Sequence, residues 1–256
     1  MHDFLLACAA VTDAEVRKLM RDPTELLSRA VQPVLWLAVF GQVFSRLHGM
    51  PTGRLGYLDY MAPGILAQSI LFSSIFYGIA VIWERDLGIV HKLLVTPAPR
   101  TALVLGKAVA AGIRGLLQAA VVYLVAVALK VHIRWEAGAM AVVAAGVFLG
   151  AGMFSTFSLL IACIVKTRER FMGIGQLLTM PLFFASNAIY PLELMPDWLR
   201  TLARLNPLTY LVDALRGTMI EGGSSHYTLL GSFGVMLAVF LLLLSAATRL
   251  YPRLAR

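Results

Sequence analysis

Six apolar segments divide this chain and leave little else between them: residues 30–47, 57–83, 109–129, 137–165, 171–189 and 227–250. A helix needs roughly 20 predominantly apolar residues to cross a bilayer, and each segment approaches or exceeds that length. The runs are continuous rather than alternating at every second residue. That pattern selects a helical bundle over a closed barrel, the other architecture that satisfies its backbone groups in lipid. Only 14% of the 256 residues are charged and the mean hydropathy is +0.78, against about 25% charged in a soluble domain. The expectation is an all-α integral membrane protein with six transmembrane helices. An N-terminal amphipathic segment occupies residues 1–29, and a single transmembrane domain occupies 30–256.

An even number of spans puts both termini on one side. Of the 22 lysines and arginines, seven fall on the opposite side: Arg46, Arg54, Lys130, Arg134, Arg200, Arg204 and Arg216. The positive-inside bias therefore places both termini in the cytoplasm, together with residues 84–100. A net charge of +8 would suggest nucleic acid in a soluble protein, but here it marks cytoplasmic loops, so no nucleic-acid partner is expected. Cys8 and Cys163 are too isolated for a disulfide framework or a metal site and read as packing residues. The stretch FLLACAAV near the start lacks a preceding basic residue, and it reads as mature chain rather than a signal peptide.

Two amphipathic regions flank the spans. Thr12 with Glu15, and Asp22-Pro23 with Glu25, have the spacing of helix starts. Val16, Met20 and Leu27 fall roughly on one face while Arg17, Lys18 and Arg21 lie elsewhere, the pattern of a helix resting in the membrane interface. Beyond the fifth segment, Met195, Trp198, Leu199, Leu202 and Leu205 form a stripe opposite Asp197, Arg200 and Arg204, which Asn206-Pro207 closes. A second stripe, Leu208, Leu211, Val212, Leu215 and Met219, accompanies Asp213 and Arg216 and ends before Gly222-Gly223. Two short helices over about 191–222 are expected to cap the bundle on the outer face.

An energy source for transport is missing from the chain itself. Gly106-Lys107 is followed by Ala108 and preceded five residues earlier by Thr101, so no phosphate-binding loop is formed. There is no HExxH pair, GxSxG elbow or clustered acid and histidine set to suggest hydrolysis or lipid modification. The spans are nearly free of acids, with Asp59 and Glu84 at opposite ends of the second. Arg114, one turn inside the third, is expected to snorkel to the interface. Coupling through a partner would account for residues 84–100, where Leu93-Leu94 forms an apolar knob ringed by Arg85, Lys92 and Arg100, and Pro97 and Pro99 fix the exit turn.

With Glu84, Arg85, Gly88, Leu93, Leu94 and Pro97 in this order, the chain resembles the membrane subunits of ABC type-2 exporters, nearest in pattern to the daunorubicin-type drug-resistance permeases. Asp86, Ile89-Val90 and His91 depart from the commoner Glu, Thr-Leu and acid of that pattern. A second part of the resemblance lies in Tyr190-Pro191, Pro196, Trp198, Asn206-Pro207, Tyr210 and Arg216, although Ser186-Asn187-Ala188 departs from the commoner Ser-Gly. The resemblance implies a cytoplasmic coupling helix that docks a soluble P-loop ATPase through Glu84, Arg85, Gly88, Lys92, Leu93, Leu94 and Pro97. ATP and Mg²⁺ would sit on that partner, and this chain would bind no cofactor and catalyse nothing itself.

The resemblance further implies a bacterial plasma membrane and pairing with a second permease subunit, identical or related. Cargo would be a small amphipathic drug, a lipid or a lipid-linked glycan, exported along a seam near the first, second and fifth spans, with antibiotic resistance as one outcome. Gln32, Gln42, Gln68, Gln176 and Asn187 are candidates to line that path, though buried amides also simply join helices. Trp36, Phe40, Phe72, Phe76 and Met180 could face an amphipathic cargo or serve as core. Asp213 and Arg216 are candidates for an outer gate, or for a local ion pair. Gly146 and Gly150 have the spacing of a helix-packing pair. The alternative reading is an ATP-independent secondary transporter or channel.

Overall fold

The computed structural model describes residues 2–21, 24–45, 55–165 and 167–255, which form a bundle of helices; among them the one isolated β-bridge joins Ile133 to Ile220. The chain opens with α1 (His2–Arg21), then α2 (Thr24–Leu35), a π-helical turn (Trp36–Gly41) and α3 (Gln42–Ser45). The long α4 (Tyr57–Asp86) leads into the short α5 (Ile89–Val95), and α6 (Arg100–Ala128) and α7 (Ala137–Ile164) follow. Then come α8 (Arg168–Phe184), a 3-10 turn (Leu192–Leu194), α9 (Asp197–Leu205), α10 (Pro207–Met219) and α11 (Leu229–Leu250), which runs on as a 3-10 turn to Ala255.

Among the described residues, four helices have the length and apolarity to cross a membrane: α4, α6, α7, and α11 extended to Leu254. The first expected span is divided among α2, the π turn and α3, and its apolar stretch covers only Val31–Gly41. The fifth expected span, α8, stops at Phe184 rather than 189. Its end is held from a distance. The Asn206 amide donates to the carbonyls of Leu182 at 2.6 Å and Ala185 at 2.9 Å, while its Oδ1 accepts the Leu208 N–H at 3.0 Å. One side chain thus satisfies carbonyls left open at the end of α8 and an amide left open at the start of α10. Pro207 at the first position of α10 lacks only an N–H that would be unbonded there.

The helix start expected at Thr12 is not one. α1 is continuous from His2, and the Thr12 hydroxyl donates instead to the carbonyls of Cys8 and, across to α6, Gly106. The start expected at Asp22-Pro23 lies outside the described residues. So do Arg46, Arg54 and Lys166, and so do the side chains of Glu25 and Leu27. α1 lies along α6 with Glu15 and Leu19 buried, and Met20 is exposed, so the face turned inward is not the one the charge pattern suggests.

α4 and α7 form the centre, their contacts running the length of the bundle, with α6 beside both. Ser158 ties them: its hydroxyl accepts the Gly78 N–H at 3.0 Å and donates to the Ile75 carbonyl. Gly150 meets Leu211 of α10 so closely that an added Cβ would lie 2.7 Å from it, and Gly146 faces Phe233 and Leu211. The glycine pair therefore receives side chains of α10 and α11 rather than a matching helix. α11 is peripheral, with only 11% of its most apolar window buried, which leaves it facing lipid or a partner.

The bundle has two distinct ends. α1, α5 and the start of α8 gather at one. At the other, the α6–α7 connection meets the end of α10 through Arg134 N–H to Met219 O and Glu221 N–H to His132 O, both at 2.9 Å.

Candidate functional site

The turn into α5 is shaped by Gly88, whose φ of +72° lies in the left-handed region that glycine enters at no steric cost. The Gly88 N–H bonds the Arg85 carbonyl at 2.9 Å, closing α4, and α5 then turns away for seven residues. Pro99 precedes the first residue of α6, and its carbonyl accepts the N–H groups of Ala102 and Leu103. The residues expected to dock a partner fall into two sets. Lys92 and Pro97 are exposed and Arg85 is half-buried, but Leu93 and Leu94 pack partly against the core around Val165, Phe171 and Tyr251, and Val90 is wholly buried. The apolar side chains that α5 and its entry turn present are instead Leu87, Ile89 and Val95, the first 67% and the last 86% exposed. The sequence pattern missed these because a seven-residue helix has too few turns for its inner face to be read.

Glu84 lies apart from these exposed side chains. It is buried and shares the Lys107 ammonium with Glu15: Lys107 Nζ lies 2.7 Å from Glu84 Oε2 and 2.8 Å from Glu15 Oε1. Lys18, half-exposed, bonds both carboxylates from the outside. One cation of α6 thereby joins α1 to the last turn of α4, directly above the turn into α5. Burial alone would raise the Glu15 carboxyl, and the Lys107 ammonium overcomes this and holds it at about 2. A second link lies beside it. Arg168 of α8 donates to Asp86 Oδ2 at 2.8 Å and stacks over the Trp83 ring at 3.5 Å, while Arg85 bonds Asp86 Oδ1 at 2.9 Å. Lys107 looked like a loop residue because the apolar run was taken to begin at Val109; the helix begins nine residues earlier, at Arg100.

Arg114 does not snorkel. It is 6% exposed, with its guanidinium 4.8 Å from the centre of the Tyr77 ring, on the inner face of α6. One turn on, Gln118 is wholly buried, and neither atom of its amide has a hydrogen-bond partner.

The pathway candidates divide three ways. Gln32 and Gln68 line one cavity of about 200 Å³ between α2 and α4, together with Phe72, Phe76, Ser69 and Ser73. Gln42 and Gln176 are exposed on α3 and α8, as are Phe40 in the π turn and Met180 on α8. Trp36 stacks on Phe40 and meets Phe183 edge-on. Asn187 lies at the far end of the bundle, beside Asp213 and Arg216.

There Arg216 donates to the Asn187 carbonyl at 2.7 Å and, at 3.4 Å, to that of Tyr60, and its guanidinium lies 3.8 Å from the centre of the Tyr60 ring. Asp213 instead accepts the N–H groups of His226 at 2.7 Å and Tyr227 at 2.9 Å. The two are therefore not a hydrogen-bonded ion pair, and each fixes a different loop to α10. Burial raises the Asp213 carboxyl, against those two N–H bonds, and burial lowers Arg216. The loop can return because Gly222 takes φ +72° and because any Cβ on Gly223 would fall 2.1 Å from the Arg216 carbonyl. The Ser186-Asn187-Ala188 segment packs tightly despite lacking a glycine, since Gly64 of α4 supplies the space: a Cβ there would lie 2.2 Å from the Ala188 carbonyl.

Residues 7–220 match the sequence model of the family described as ABC-2 type transporter. A putative transport permease, ycf38, of Cyanophora paradoxa is 30% identical over 201 residues, covering 78% of this chain and 69% of that protein. Nodulation protein J of Bradyrhizobium diazoefficiens is 26% identical, covering 80% of this chain and 77% of the relative. A probable multidrug ABC transporter permease, YbhR, of Escherichia coli K12 is 27% identical over 67% of this chain and 46% of its own.

Proposed function

The chain belongs to the ABC-2 type transporter family, and on that premise we propose that it is the permease subunit of an ATP-driven exporter, worked by a separate P-loop ATPase that grips the α5 turn. The observation that carries this is the placement of Lys107. A load on α5 acts on the last turn of α4, where Glu84 and Asp86 tie that turn to α1, α6 and α8 at once. A docked ATPase would therefore move four elements together rather than bend one loop. The partner would meet Leu87, Ile89 and Val95 as its apolar contact, with Lys92 and His91 beside them. ATP and Mg²⁺ belong to the partner.

In this reading six spans cross a bacterial plasma membrane, with α2 through α3 as the first and α8 as the fifth; both lie against α4, which supports the assignment. Both termini and α5 are cytoplasmic. A second permease, identical or related, would complete the seam. The cavity holding Gln32, Gln68, Phe72 and Phe76 joins amide and hydroxyl groups to aromatic rings, which suits an amphipathic drug, a lipid or a lipid-linked glycan. Resistance to an amphipathic antibiotic would be one consequence.

The test is affinity purification of the tagged permease from its own cells, with ATPase activity measured on the eluate. Retention of a P-loop subunit by the native protein, and its loss in Val95→Asp with thermal stability unchanged, is the expected result. An eluate without ATPase and a variant that transports normally would establish the ATP-independent alternative.

A further inference from the structure

A polar cavity lies at the α10 end of the bundle, away from α5. It measures about 270 Å³, at the lower edge of small-ligand sites and therefore suited to one ring-sized head rather than a whole amphiphile. Asn187, 2% exposed, lines it, and its Oδ1 has no hydrogen-bond partner. A buried acceptor left open in this way costs on the order of a hydrogen bond unless something fills it.

Charge narrows the occupant. Arg216, on the wall, forms no ion pair with a carboxylate among the described residues, and its guanidinium would face a bound cation. An anion would face Asp213 and Glu193 on the same wall. A ligand of either sign meets its own kind, whereas a neutral one with several hydroxyls finds both donors and acceptors on the wall: Arg216, the Asn187 amide, Ser225, and Glu193 with His226, whose side chains lie 3.7 Å apart. Leu55, Pro191 and Leu192 supply the apolar flank. A second cavity of about 310 Å³ shares Leu192, Glu193 and His226 with the first and adds Arg204 and Arg200, so the groove continues past one ring.

We propose that this groove binds the neutral polyhydroxylated head, a sugar, of an amphiphile. Its role as a stop on the way out rests on the export reading, but the binding itself does not.

The assay uses the purified full-length permease in lipid nanodiscs with no ATPase present, so its outcome is independent of the coupling reading. The probes are methyl β-glucoside and N-acetylglucosamine, observed by saturation-transfer NMR, with inorganic phosphate and choline as charged competitors and empty nanodiscs as control. Transfer to both sugars is expected, with neither charged probe competing. Asn187→Leu should weaken binding about fivefold, the worth of one hydrogen bond, at unchanged melting temperature. Because Asn187 is buried, Glu193→Gln on the exposed wall serves as a second variant, with loss of sugar affinity expected. Absence of transfer in the native protein, displacement by phosphate or choline, or equal binding in both folded variants would overturn the proposal.

Discussion

Replacing Lys107 by Met removes one positive charge from between two buried carboxylates while keeping the length of the side chain. Glu15 and Glu84 have side chains 5% and 8% exposed, and the remaining cation, Lys18, is half in solvent. Glu15 is held at about 2, against an ordinary value of 4.5, and at ~1.4 kcal/mol per unit this corresponds to about 3 kcal/mol. That agrees with the 3–5 kcal/mol typically lost, roughly, when one partner of a buried pair is removed. A chain of this length should then melt roughly 6–12 °C lower at pH 7.

The pH dependence fixes the cause. Glu15 has a depressed carboxyl, so its contribution to the native protein is fully present above about 4.5 and is lost as pH falls toward 2. The variant behaves oppositely, since burial without Lys107 raises the Glu15 carboxyl and acid relieves it. The gap in melting temperature should therefore narrow on acidification. Adding Glu15→Gln and Glu84→Gln should recover most of the loss, because a neutral trio carries no unpaired charge. The assay is thermal unfolding in detergent or nanodiscs from pH 7 to pH 4. An unchanged melting temperature for the single variant, or a triple variant no better than it, would refute the electrostatic account.

Three further outcomes are expected. Gly88→Ala meets no atom within 4 Å, so it should cost only the left-handed strain of roughly 1–2 kcal/mol while disturbing the aim of α5, read as reduced ATPase retention out of proportion to lost stability. Asn206→Ala removes bonds at two helix ends and should cost about 2 kcal/mol by thermal unfolding, more than the typical ~1 kcal/mol of a single cap. His132 is raised above its ordinary value by the hydrogen bond and charge of Asp59, so the pair favours the fold most below about 6.5 and weakens as pH rises past the shifted value; Asp59→Asn should return the His132 titration, followed by NMR, toward 6.5.

Much of the architecture was legible because apolar length is a coarse signal that tolerates error. The second, third, fourth and sixth segments became α4, α6, α7 and α11, and the two outer stripes became α9 and α10 with Asn206-Pro207 between them. What failed were judgements about which way a side chain points at a helix end. Arg114 read as interfacial and Lys107 fell outside the apolar run, because nothing in a single sequence reveals that Glu15 and Glu84, 92 and 23 residues away in the chain, converge on Lys107. Leu93-Leu94 read as a knob because the partner of their inner face, around Tyr251 and Phe171, is equally remote. Asn187 entered as one of five interchangeable amides. Its place beside Arg216 at the far end of the bundle separates it from Gln32 and Gln68.

The π turn at Trp36–Gly41 holds one more residue per hydrogen-bonded loop than the helix on either side. Were it to relax to α geometry, that spare residue would have to pass along the helix, turning one flank against the other by ~100°. Gln32 and Ser28, on the near flank, would swing relative to Gly41, which packs against the Leu58 side chain. In that event the face offered to the cavity beside α4 would change phase with every turn of the helix still closed.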